Sequence, residues 1–217
     1  SGLGVIVQSI IPGPNTNHYI VSAYFDDSNR PLGLFTQRKI RQYPTDFGLG
    51  ALLESVRAPD AEELGVRLLE RLHYRGIASI EFKRDARTGE LTLIEVNSRL
   101  GLKNIHGTRC GVNFPLIAYL DLTGQKPAPV THYREGVRFL VIGKDFRAFQ
   151  DYYRRGELGP LEWLRSILTA RVFPYFAWRD PLPFVMATGS NLWRRLRHGP
   201  QRAWKAVRRR VAPDRVS

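Results

Sequence analysis

Apolar and polar residues alternate with a period of two over the first part of the chain. Val5–Ile11, Tyr19–Asp26 and Leu32–Ile40 each read as a strand, separated by Pro12-Gly13-Pro14 and by Asp27-Ser28-Asn29-Arg30-Pro31. Three such runs with short connections predict an antiparallel meander. The period then changes. Leu64, Leu68, Leu69 and Leu72 recur at helical spacing, Pro59-Asp60 precedes them, and Arg67 and Arg71 follow toward the end, which predicts a packing helix over Asp60–His73. Alternation returns in Gly76–Arg99, where two apolar runs flank a turn built on Asp85, Thr88 and Gly89. That pattern predicts a β-hairpin.

Beyond the hairpin the pattern is more broken. Leu100–Arg109 is polar and glycine-punctuated, a loop, and Pro115–Leu122 is a helix ended by Thr123-Gly124. Lys126-Pro127-Ala128-Pro129 is a stiff linker. Gly136–Lys144 reads as one more strand, Asp145–Arg155 and Leu161–Ala170 as short helices, and Phe173–Phe184 as an aromatic, proline-rich segment that packs on the body or on a partner. In Asn191–Val211, Leu192, Trp193, Leu196, Trp204, Val207 and Val211 lie on about one helical face among arginines, with Gly199-Pro200 dividing two short helices. The fold expected is α+β: a mainly antiparallel sheet packed by helices, then a mostly helical basic C-terminal extension. Boundaries fall at 1–126, 127–190 (a strand and helix extension packed on the core) and 191–217 (a basic amphipathic tail).

Composition sharpens this in two places. Among 217 residues, 43% hydrophobic, Cys110 is the single cysteine, which excludes an intramolecular disulfide and a cysteine zinc site and makes a reducing, cytoplasmic setting the default. The formal charge of +13 is uneven: nine basic residues from Arg194 onward face Asp214 alone, so +8 of it belongs to the tail. A basic helix bearing Trp suits an anionic membrane surface at the inner face of the membrane, and a solvated or docked terminal helix fits the same residues. Nucleic acid is the weaker partner, because no binding module accompanies the charge.

The chemistry concentrates in the hairpin. Glu81, Glu95 and Asn97 sit in or at the end of strands otherwise rich in apolar residues, and Arg99 follows. A carboxylate in such a strand costs free energy unless something positive compensates it. Three oxygen donors on a rigid hairpin make a site for a hard cation, Mg²⁺ with a nucleotide phosphate being the usual occupant. Upstream, alternation puts Lys39 and Arg41 on one face of a strand. Paired cations there suit a triphosphate or a carboxylate, and a solvated basic edge strand fits equally. His106 and Arg109 border the hairpin as candidate substrate contacts, although a lone histidine in that position is more often structural.

The run Glu-Phe-Lys-Arg-Asp, a turn, then Ile-Glu-Val-Asn-Ser-Arg resembles the metal-binding hairpin of the ATP-grasp superfamily, with the carboxylate–amine ligases of the carbamoyl-phosphate-synthase and D-aspartate-ligase type nearest in form. The resemblance spans roughly Val5 to Gln125, so that 1–126 is expected to be the C-terminal portion of an ATP-grasp domain. It implies ATP and Mg²⁺ (with Mn²⁺ as a second ion of the same kind), small-molecule carboxylate and amine substrates, and an acylphosphate route. Glu81, Glu95 and Asn97 would hold metal; Arg99, Lys39 and Arg41 would meet phosphate; Gln8, Ser9, Ile10 and Ile11 would form the adenine hinge. Two departures stand out: Ser9 occupies a position where relatives carry an acid, and only Asn15 and Asn17 are available for the ribose. The lysine and glycine-rich loop that such enzymes place before the hinge are not in this sequence, so it reads as the C-terminal portion of a longer ligase, completed by an N-terminal half. A non-catalytic nucleotide-binding remnant, or a membrane- or partner-binding module using the tail, is the alternative.

Overall fold

The computed structural model describes residues 9–187 and 189. Two compact units divide after Pro174. In the first, β1 (His18–Phe25), β2 (Pro31–Tyr43), β3 (Leu49–Ser55), β4 (Gly76–Arg84), β5 (Leu91–Asn97), β6 (Arg138–Leu140) and β7 (Ala170–Val172) form one sheet in the order β5-β4-β1-β2-β3-β6-β7. Every pairing is antiparallel except β6 with β7. The helices are α1 (Pro59–Arg71), α2 (Asn104–Cys110), α3 (Phe114–Leu122), α4 (Ile142–Arg154) and α5 (Pro160–Leu168). The expected α+β class holds, with the mainly antiparallel sheet that the pattern predicts.

Each face of the sheet has its own core. On one, Val21, Ala23 and Phe25 of β1 and Ala78, Ile80 and Phe82 of β4 pack against Ala61 and Leu69 of α1. On the other, Tyr24, Leu32 and Phe35 pack against Cys110, Val112, Phe114 and Ile117 around α2 and α3. Burying each such large side chain stabilises the fold by about 1.5–3 kcal/mol. The two-residue period of β1 and β4 thus serves two buried layers, which leaves the polar residues of those strands to gather at the His18 end.

Several boundaries differ from the sequence expectation for physical reasons. Residues 9–12 take no strand conformation. Pro12 cannot donate to a ladder, its carbonyl instead accepts from Ala86 N at 3.1 Å, and Ile10 is 73% exposed. The rest of that expected strand, Gln8 included, lies outside the described residues, as does the tail at 191–217. Strand β3 falls in a stretch for which the pattern gave no element, and α2 falls within the expected loop after Arg99. The strand expected over Gly136–Lys144 is only β6, because the chain turns into α4 at Ile142. In the second unit, residues 182–187 are helical, Ala177 bridges Asp180, and the Phe176 ring meets those of Trp178 and Phe184 at 5.0 and 5.4 Å.

Candidate functional site

Register decides which of the polar residues meet. In the β1–β4 ladder Ile20 stands opposite Glu81 and His18 opposite Lys83; in the β4–β5 ladder Glu81 stands opposite Glu95 and Ser79 opposite Asn97. Directly opposed residues share a face, so Glu81, Glu95 and Asn97 lie together. Asn97 Nδ2 donates to Glu95 Oε1 at 2.8 Å, which leaves the amide oxygen as an acceptor. Like charges directly opposite are destabilising. This face therefore calls for cations.

Lys39 is the first of them. From β2 it reaches past β1 to Glu81 on β4, forming a buried ion pair, and its ammonium also donates to Gln42 Oε1 at 3.3 Å and to the Gly48 carbonyl at 3.4 Å. An ammonium has three N–H donors, and all three are used. Gly48 is fixed by space: a Cβ there would stand 2.1 Å from the Pro44 carbonyl oxygen. His18 Nδ1 lies 3.3 Å from Glu81 Oε1. Burial alone would raise the Glu81 pKa; His18 and Lys39 outweigh it and hold the carboxyl at about 2. Burial lowers the pKa of His18 despite Glu81 beside it.

Three further lysines converge here that the sequence reading passed over. Lys103, half-buried at the head of α2, has its pKa lowered by burial, with Glu81 and Glu95 pulling it up and Lys39 and Lys144 pushing it down. Lys83 is lowered by burial and by Lys39. The pattern offers a signal for Lys83, two positions after Glu81 on one strand face. Lys103 and Lys144 carry no such signal, since a loop and a helix deliver them. The result is two carboxylates within a field of lysines. Oxygen donors from Glu81, Glu95 and Asn97 fit a hard cation in chemical type. Among the described residues no group of three or more His, Cys, Asp and Glu gathers as a metal centre.

The other sequence candidates are placed elsewhere. Lys39 pairs with Leu53 and Arg41 with Leu52 across the β2–β3 ladder, a register shift that sets the two basic residues on opposite faces and corrects the expectation that they share one. Arg41 is buried against α4: its Nε and Nη2 donate to Asp145 at 2.8 and 2.9 Å, and its Nη1 donates to Ser166 Oγ at 2.8 Å. Trp163 Nε1 donates to the same carboxylate at 2.9 Å. His106 is fully buried, 3.0 Å from both Gln37 Oε1 and the Val137 carbonyl, stacked on Phe139 and edge-on to Phe35. Burial lowers its pKa to about 4, so it is a neutral, structural imidazole. Arg99 and Arg109 are exposed, the first just past β5 and the second on α2; Ser9 and Ile10 are exposed and Ile11 half-buried.

Comparison with known proteins bears on this arrangement. The D-aspartate ligase of Enterococcus faecium (strain Aus0004) is 29% identical over 160 residues, which is 70% of this chain and 38% of that protein. The chain is similar to a D-aspartate ligase. The chain spans little more than a third of that relative's length. No family model matches. Among solved structures, the ATPase subunit of phosphoribosylaminoimidazole carboxylase from Aquifex aeolicus aligns with 56% of this chain and 38% of its own at 16% identity and a TM-score of 0.45. Pyruvate carboxylase from Rhizobium etli aligns with 56% of this chain and 13% of its own at 17% identity, also with a TM-score of 0.45. Likenesses at that level do not bear on the chemistry.

Proposed function

We propose that this chain provides the metal- and phosphate-handling part of an ATP-dependent ligase that joins a carboxylate to an amine. One observation carries the reading: Glu81 and Glu95 are directly opposed on β4 and β5, with Lys39 paired to Glu81 and Lys103 in the field of both carboxylates. Acids held at that density suit a cation, and lysines beside them suit the anion the cation accompanies. The similarity to a D-aspartate ligase supports the same reading and makes amino acids the first substrates to test.

In the proposed reaction a carboxylate oxygen attacks the γ-phosphorus of ATP, the bond to the bridging oxygen breaks, and ADP leaves with an acylphosphate formed. The amine nitrogen then attacks the acyl carbon, the bond to phosphate breaks, and the nitrogen gives up a proton. Glu81, Glu95 and Asn97 would hold Mg²⁺. That ion, when bound, neutralises charge on the phosphate oxygens as the phosphoryl group transfers. Lys39 would exchange its Glu81 partner for a phosphate oxygen, and Arg99, exposed at the end of β5, would hold the phosphoryl group as it moves. Catalysis of this kind is positioning and electrostatic stabilisation, so no side-chain nucleophile is required.

The test is ATP binding by calorimetry with and without Mg²⁺, followed by phosphate release with an amino-acid panel that includes D-aspartate. Binding is expected to require Mg²⁺ and to weaken at least about tenfold, about 1.4 kcal/mol, in Glu81→Gln and in Glu95→Gln. Mg²⁺-independent binding that both variants retain in full overturns the metal assignment.

A further inference from the structure

We propose that Lys103 and Lys144 form a recognition site for a dicarboxylate substrate, holding the carboxylate that is not phosphorylated in the ligase reaction proposed above, on which this role rests. Both side chains are half-buried, and neither ammonium forms a hydrogen bond or a contact ion pair among the described residues. Neither nitrogen is sealed from solvent, so a ligand can reach both. Lys103 interacts electrostatically with Glu81, Glu95, Lys39 and Lys144, which sets the two lysines together beside the hairpin carboxylates. An ammonium partly withdrawn from water without a partner costs free energy, and a bound anion relieves that cost.

Strand β2 holds the pair in place. Its alternate residues Gln37, Lys39 and Arg41 contact three different elements. Gln37 Oε1 lies 3.0 Å from His106 Nδ1 on α2, Lys39 pairs with Glu81 on β4, and Arg41 donates to Asp145 on α4 at 2.8 and 2.9 Å. The Lys103 carbonyl accepts from His106 N at 3.0 Å, and Lys144 is next to Asp145 in the chain. Two cations from separate elements are thus anchored through one strand.

The order along the hairpin decides which anion they take. Ser9, Ile10 and Ile11, the residues expected to meet adenine, run into Pro12, whose carbonyl accepts from Ala86 N in the turn between β4 and β5. Glu81 and Glu95 stand farther from that turn, Ser79 and Asn97 farther still, and the chain reaches Lys103 only after β5 ends. A nucleotide laid from the turn toward the two carboxylates brings its γ-phosphate to the metal, with the attacking carboxylate beyond it, in line with the leaving oxygen. Lys39 and Arg99 serve the phosphate in that arrangement, and Lys103 and Lys144 are left for the substrate. A carboxylate gripped by two ammonium groups has its lone pairs engaged and is a poor nucleophile. The group they hold is therefore the anchor, and a second carboxylate of the same molecule attacks.

The test needs no turnover. The full chain is titrated calorimetrically with succinate and with propionate, which differ by the second carboxylate, and separately with ATP and Mg²⁺. Succinate is expected to bind at least about tenfold more tightly than propionate. Lys103→Met and Lys144→Met are each expected to remove most of that preference, with unchanged circular dichroism and a smaller loss of MgATP binding. Lys103→Arg is expected to keep it. A chain without the preference overturns the proposal, as do methionine variants that retain it or that lose MgATP binding by the same factor. A lysine-dependent preference for succinate in a chain that binds no MgATP would support the dicarboxylate site and overturn the ligase reading alone.

Discussion

Lys39 on β2 and Glu81 on β4 form a buried ion pair across the intervening strand β1, with His18 of that strand beside the same carboxylate. Neither partner can be removed singly without leaving a charge out of water. Lys39→Met should lower stability by about 3–5 kcal/mol, the cost of an uncompensated buried charge. It should also raise the Glu81 pKa. Urea denaturation followed over a range of pH measures both.

The same pair sets a pH dependence. Glu81 titrates at about 2 in the folded chain against 4.5 without its surroundings, so the unfolded state binds more protons between those values. Its contribution is complete above pH 4.5 and is lost as pH falls through the interval toward 2. Glu81→Gln should flatten the stability curve in that window, to be followed by denaturant midpoints. A window that Glu81→Gln leaves unchanged would assign the acid lability to other carboxylates.

His106 supplies a second, higher window. Its folded pKa of about 4 lies below the ordinary 6.5, so the neutral form is favoured on folding. Stability from this group is present above pH 6.5 and falls away as pH drops toward 4. His18 acts in the same direction. His106→Phe should remove part of this loss, at a cost in stability near neutral pH from leaving Gln37 and the Val137 carbonyl without the ring. An NMR titration of the imidazole reads the pKa directly.

Arg41 and Asp145 tie β2 to α4 with two hydrogen bonds in the protein interior. Asp145→Ala should destabilise by about 3–5 kcal/mol, whereas Arg41→Met combined with Asp145→Met should recover much of that loss. Thermal unfolding of the single and double variants decides this. Equal losses in the two would mean that the pair contributes more than mutual neutralisation.

Gly48→Ala tests the loop that closes on Lys39. With a Cβ set to meet the Pro44 carbonyl at 2.1 Å, the backbone must move, carrying away the Gly48 carbonyl that accepts from Lys39. A loss of about 1–3 kcal/mol in thermal stability is expected.

The hairpin was the most legible part of the chain. Its two alternating runs and turn are local features, and strand pairing then brought Glu81 opposite Glu95 without help from any distant element. The α1 stripe was equally plain, since helical spacing and burial are properties of a few successive turns. Arg41 was misread because alternation takes strands to be regular. The register shift between Lys39 and Arg41 exists only once β3 is paired, and β3 itself was hidden among glycines. His106 was treated as a candidate contact on account of its place after the hairpin. Its burial between Phe35 and Phe139 depends on strands far from it in sequence.

By itself, then, the sequence determined the elements with strong periods, the resemblance to ATP-grasp ligases and the two candidate carboxylates of the hairpin. These follow from spacing along one short segment, where residue period and covalent geometry leave few choices. Only the tertiary structure decided which distant cations accompany the carboxylates: Lys39 from β2 and Lys103 from the head of α2, with Arg41 paired to Asp145 instead. A charge is buried only where others compensate it, and that compensation is a matter of distance in space.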